Sequence, residues 1–153
     1  MSNHNWVLSS RSRERLLGVK PELSDTVKRA LELSPIDFGV TEGKRSLERQ
    51  KELVSRGMSQ TMRSKHLTGD AADLVAYLSG KICWEMPAYQ QLADAMKEAA
   101  EETGVSIRWG GAWQVRDIRL HDGTMEEAMN AYVDLRRSEG RTPFLDGPHF
   151  ELS

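Results

Sequence analysis

The chain has 153 residues, 39% hydrophobic and 29% charged, the size and composition of one globular domain with a core of its own. Basic and acidic residues nearly balance, 21 against 23, and a formal net charge of −2 argues against a nucleic-acid partner held by a dominant positive field. The single cysteine, Cys83, excludes an intrachain disulfide; with no apolar run long enough for a signal peptide or a membrane span, folding in a reducing cytoplasm is expected.

The spacing predicts a short helix over about 10–18, stopped by Gly18, then a second helix capped at Ser24-Asp25 with Val27, Ala30 and Leu31 on one face. Residues 36–40 alternate apolar and polar as a short strand does. After a turn at 41–45 a third helix is expected over about 46–56, with Leu47, Gln50, Leu53 and Val54 inward and Gly57 as its C-cap. Residues 58–70 read as a polar loop. Ala71 to Leu78 reads as a strand, with Asp73, Val75 and Tyr77 on one side and Ala72, Leu74 and Ala76 on the other. A long amphipathic helix is expected from about Pro87 to Thr103, where Tyr89, Leu92, Ala93, Met96 and Ala100 recur at helical spacing. Residues 105–109 form a strand candidate broken by Gly110-Gly111. Thr124 and Glu127 make a capping box for a helix through about Ser138, and 148–152 closes as a strand. The fold class expected is α+β: a small single domain over 1–153, with a short antiparallel sheet surrounded by helices.

Two segments concentrate reactive groups: Ser64-Lys65-His66-Leu67-Thr68-Gly69-Asp70-Ala71-Ala72-Asp73 and Asp146-Gly147-Pro148-His149-Phe150-Glu151. A catalytic zinc takes about three protein ligands and leaves one position for water, whose pKa then approaches neutrality. His66 and Asp73 flank a glycine-containing turn, and His149 opens a strand that could pair alongside, so the trio would offer two imidazoles and a carboxylate. Asp146, three residues before His149, is placed to take the water's proton, with Pro148 stiffening the approach. Spacing alone leaves other readings open. A lone His is commonly structural and an Asp beside Gly commonly serves a turn. His121 and Asp122 are competing ligands, although His121-Asp122-Gly123 also reads as a turn before the Thr124 cap; His4 lies in the terminal segment.

The pattern Ser-x-His-x-x-Gly-x-Ala-x-Asp over 64–73, followed by Asp-x-Pro-His-Phe-Glu over 146–151, resembles the D-alanyl-D-alanine-type zinc peptidases, the VanY-like or LAS group. Phe38 to Ser46, Glu48-Arg49-Gln50, Gly57-Met58-Ser59-Gln60-Thr61 and Trp109-Gly110-Gly111 resemble its phage endolysin branch, the L-alanyl-D-glutamate endopeptidases; the likeness covers roughly 13–113 and 144–152. The resemblance implies one catalytic Zn2+ on His66, Asp73 and His149, set at the face of the sheet, with Asp146 as general base. It implies Arg45 beside the scissile carbonyl, where a fixed guanidinium stabilises the developing oxyanion. Ser64, Gln50 and Trp109, with Trp113, would line the substrate cleft, although a turn hydroxyl, a buried helix amide and core rings account for them equally.

The implied reaction is hydrolysis of the L-alanyl-D-glutamate bond in peptidoglycan stems during host lysis. The implied protein is a monomer that accumulates in the cytoplasm of a Gram-negative host and reaches the cell wall through a holin, without stable membrane insertion. A D,D-carboxypeptidase acting on D-Ala-D-Ala termini and a non-catalytic zinc-binding interaction domain are the alternatives; Asp146 argues against the second, which needs no base. Three departures stand out. Ala112 replaces the Asp that relatives often carry in Trp-Gly-Gly-Asp-Trp, removing a carboxylate available to orient a ligand or contact substrate. Asp70 stands where a small or imidazole side chain is expected. Residues 114–142 are longer than expected between the two motifs, a family-variable insertion that would form a lid, a wall contact or neither.

Overall fold

The computed structural model describes residues 6–59 and 64–153; His4 and the Gln60-Thr61 part of the endolysin-like segment lie outside them. Among the described residues there are five α-helices and one five-stranded antiparallel sheet, the α+β class expected. Helix α1 (Ser10–Arg15) starts at Ser9, whose hydroxyl accepts the Ser12 N–H. Helix α2 (Pro21–Leu33) starts earlier than expected. Pro21 occupies the first turn, where its missing N–H has no intrahelical partner to lose, and Ser24 lies buried inside the helix instead of capping it. Helix α3 (Leu47–Ser55) is capped by Ser46 and turns Gln50 and Leu53 inward, but Leu47 is 53% exposed, on the outer side of the first turn. Helix α4 (Met86–Thr103) buries the predicted Tyr89, Leu92, Ala93, Met96 and Ala100, and α5 (Met125–Ser138) carries the predicted capping box.

The strands are β1 (Asp37–Glu42), β2 (Ala71–Leu78), β3 (Lys81–Cys83), β4 (Ile107–Trp109) and β5 (His149–Leu152). Their order is β1-β2-β5-β4, with β3 pairing the far half of β2. Strand β3 escaped the sequence reading because it is only three residues long and is held by a tight turn at Ser79-Gly80, both at positive φ.

Strand alternation gives the sheet two unlike faces. Phe38, Val40, Leu74, Ala76, Ile107, Trp109 and Phe150 point to a shared core with Leu23, Val27 and Leu31 of α2 and Leu92 and Met96 of α4. Each large side chain buried this way contributes about 1.5–3 kcal/mol. On the other face, register sets Asp73 directly opposite His149 and Arg108 opposite Glu151. A bulge between Val40 and Glu42 shifts β1 by one residue, so that Glu42, rather than Thr41, pairs with Asp73.

Residues 114–142 pack onto α4: Met125, Ala128, Met129 and Tyr132 are buried, the Met125 N–H donates to Asp94 at 2.8 Å, and Lys97 donates to the His121 carbonyl. Among the described residues, no helix is long and apolar enough to cross a membrane.

Candidate metal centre

His66, Asp73 and His149 come together, each offering one ligand atom, with all three atoms within 4.8 Å of one another. Asp73 Oδ1 lies 3.3 Å from His66 Nε2 and 3.2 Å from His149 Nδ1. An ion bound tetrahedrally at 2.0–2.1 Å sets neighbouring ligand atoms about 3.3 Å apart, so two edges of the cluster already match. Each imidazole also has its remote nitrogen occupied. His66 Nδ1–H donates to the Gly43 carbonyl at 2.8 Å, and His149 Nε2–H donates to Glu151 Oε1 at 2.8 Å. Those outer bonds fix the tautomers and turn the lone pairs of Nε2 and Nδ1 toward the shared space. The donor set fits a divalent ion of the zinc type and leaves a position open.

Local structure explains the placement. His66 sits on a single 3-10 turn (Lys65–Thr68) capped by the Ser64 hydroxyl, which accepts the His66 N–H at 3.2 Å. Gly43 must be glycine for its carbonyl to reach His66, because a Cβ there would lie 1.9 Å from the Arg15 carbonyl oxygen. Gly110 has the same reason: a Cβ would lie 2.2 Å from the Asp146 carbonyl oxygen, and the Asp146 N–H donates to Gly110 at 2.9 Å. The motif Trp109-Gly110-Gly111 is therefore the bed on which the Asp146 turn rests. Trp109 is buried in the core, and its indole N–H donates to the Gly147 carbonyl at 2.7 Å. It holds the turn into His149 and does not reach the cleft, contrary to expectation; the aromatic wall is Trp113, whose ring lies 5.5 Å from that of His149.

The charges are arranged around the trio. Burial opposes ionisation of Asp73, but the His149 and His66 rings outweigh it and hold the carboxyl well below its usual range. Burial likewise opposes protonation of His149, yet Asp73 and Glu151 raise its pKa to about 9. Without a metal, a proton on His149 balances these carboxylates. Asp146 is pushed up from the ordinary carboxylate value by burial and then by the charge of Asp73, against the pull of His149, His66 and Arg45. A carboxylate so placed takes up a proton more readily than a solvated one.

Arg45 is 9% exposed rather than solvated at a helix start. It grips Glu42 in a two-pronged pair at 2.6 and 2.7 Å, while Nη1 donates to Gln50 at 2.6 Å and to Ser64 at 3.5 Å. Gln50 is fully buried, also donates to Ser59, and supports Arg45 instead of lining the cleft as expected. Ser64 does line it. The cleft has a volume of about 810 Å³, with Arg49, Leu53 and Met58 contributed from α3 and its end, and Arg108, Trp113 and Phe144 from the β4 side. No residue of 114–142 lines it, so that segment is no lid in this structure. His121 and Asp122 lie in the connection into α5 and join no ligand cluster among the described residues. Asp70 is taken by Lys20 at 2.9 Å and by the Thr68 hydroxyl.

Residues 4–153 match the family model described as phage L-alanyl-D-glutamate peptidase. The chain belongs to this family. The L-alanyl-D-glutamate peptidase of Escherichia phage T5 is 39% identical over 106 residues, which cover 67% of this chain and 77% of that one. That of Listeria phage A118 is 35% identical over 82 residues, 54% of this chain but 28% of that longer one. Among solved structures, the Serratia marcescens L-Ala D-Glu endopeptidase ChiX superposes with a TM-score of 0.72 at 37% identity, covering 97% of this chain and 92% of that one.

Within this family member the missing carboxylate at 112 has a structural answer. Ala112 is fully buried, and the anchoring of both imidazoles is supplied by Gly43 and Glu151. Glu151, which accepts from His149 Nε2, is assigned no role by the motif alone. Period-two alternation from His149 was the available signal, since it returns residue 151 to the same face.

Proposed function

We propose that the chain is a zinc-dependent peptidoglycan endopeptidase that hydrolyses the L-alanyl-D-glutamate bond of the peptide stem. The observation that carries this reading is the spacing of Asp73 at 3.2 and 3.3 Å from two imidazoles anchored from behind, in a chain of the phage peptidase family. When bound by His66 Nε2, Asp73 Oδ1 and His149 Nδ1, zinc supplies Lewis acidity, lowering the pKa of a water and polarising a carbonyl. Asp146 accepts the proton of the attacking water and returns it to the departing D-glutamyl amine, and its raised affinity for protons suits both transfers. Arg45, its guanidinium fixed by Glu42, Gln50 and Ser64, faces the negative charge that develops on the scissile carbonyl oxygen. Ser64 adds a hydroxyl to the same side of the cleft.

The same reading has the protein act as a monomer on peptide stems of the cell wall, after holin-dependent release from the host cytoplasm; kinship with phage peptidases supports it. The test is a digest of purified peptidoglycan followed by mass spectrometry of the muropeptides, with metal analysis of the protein. New alanyl carboxylates paired with free D-glutamyl amines are expected, along with one zinc per chain. Release of D-alanine instead would reassign the chain as a D,D-carboxypeptidase.

A further inference from the structure

Among the described residues, the cleft contains four basic side chains besides its histidines: Arg45, Arg49, Lys65 and Arg108. Three are already matched to carboxylates. Arg45 is locked to Glu42, Arg49 lies 3.5 Å from Glu52 and 4.0 Å from Glu42, and Lys65 pairs with Glu151 at 3.1 Å. Arg108 pairs with no carboxylate among the described residues. Its Nε donates to the Trp113 carbonyl at 2.7 Å, Nη2 donates to the same oxygen, and the guanidinium lies 5.3 Å over the Trp113 ring. Neutral groups thus fix its orientation without cancelling its charge, and the Nη1 donors keep capacity for a ligand.

We infer that Arg108 is the specificity residue that binds the free carboxylate of the substrate's glutamyl residue. This inference rests on the endopeptidase reading. A glutamyl residue has two carboxyl groups; a stem that continues through one leaves the other ionised at neutral pH, a few bonds from the scissile nitrogen. Such a group enters a cleft that already holds Asp73, Asp146 and Glu151, so it needs a cation not yet spoken for. Arg108 is at the right remove: it pairs in register with Glu151, the partner of His149, and its stacking ring lies 5.5 Å from the His149 ring. A planar guanidinium matches a carboxylate with two parallel donors, which a carboxamide cannot accept equally.

The experiment compares two synthetic stem peptides that differ only in whether that carboxylate is an acid or a carboxamide. Wild type is expected to prefer the acid. Arg108→Gln lowers kcat/KM on the acid about ten- to a hundredfold, leaves the amide nearly unchanged and so erases the preference, with zinc content unaltered. Arg108→Lys keeps the charge without the fork, retains only part of the preference, and reads the same ratio should the Gln variant not fold. An undiminished preference in both variants, or an equal loss on both substrates, overturns the assignment of Arg108 alone. A wild type that cleaves neither peptide overturns the endopeptidase reading and this inference with it.

Discussion

The two faces of one sheet differ more than any two distant parts of the molecule. Ala72 and Leu74 are sealed in an apolar core, while Asp73 between them meets two imidazoles; Phe150 is fully buried between His149 and Glu151, which hydrogen bond to each other on the opposite side. Buried carboxylates and imidazoles destabilise a fold unless they are paired, and here His66 and His149 both pair with Asp73 and His149 pairs with Glu151 as well. The apolar face supplies the stability that lets the charged face stay assembled, and alternation along a strand delivers both from adjacent residues.

The contrast breaks hardest at His149. His149→Ala removes one of the proposed ligands and leaves Asp73 and Glu151 without their shared imidazole, and loss of bound zinc and of all lytic activity is expected from metal analysis and turbidity assays. One residue on, Phe150→Ala should lower stability by about 3–5 kcal/mol in urea denaturation while the folded fraction still binds zinc. If that variant lost metal at full occupancy of the fold, the two faces would not be separable. Asp146→Asn sharpens the division within the charged face: kcat is expected to fall about 10²–10⁴-fold with zinc retained, and an unchanged kcat would remove Asp146 from the chemistry. Glu151→Gln is milder, weakening zinc about 10–100-fold in a chelator competition with the fold intact.

The smallest effect is a dependence on pH. In the metal-free fold the His149 pKa is raised to about 9 from 6.5, so zinc must displace a proton and its apparent affinity should rise about tenfold per pH unit up to that point. By the same linkage, the stability that this protonated ring gives the metal-free protein is complete below pH 6.5 and lost as pH climbs through 9. Denaturation of zinc-free and zinc-loaded protein across that window should diverge.

What the sequence disclosed follows from which forces are local. The sides of β2, the α4 stripe and the Thr124-Glu127 box depend on neighbours a few residues away, and all appear as expected. The two motifs contain His66, Asp73 and His149, which the fold brings together, and Asp146, which lines the same cleft. Contacts between remote segments were hidden. Nothing local says that Trp109 spends its indole on Gly147, or that Arg45 is enclosed by Glu42 and Gln50. The bulge that brings Glu42 to Asp73 is a property of pairing, not of β1 alone. Helix α2 starts early because Pro21, whose ring presets the first helical dihedral, outranks a cap at Ser24-Asp25.

Strand β5 lies between β2 and β4, yet it comes last in sequence of the five strands. Until residues 149–152 arrive, β4 has no partner in the sheet, β2 lacks one along its first half, and Asp73 faces a gap where a ring should be. The three candidate ligands therefore meet only once this strand has docked, a closure that joins segments 76 residues apart.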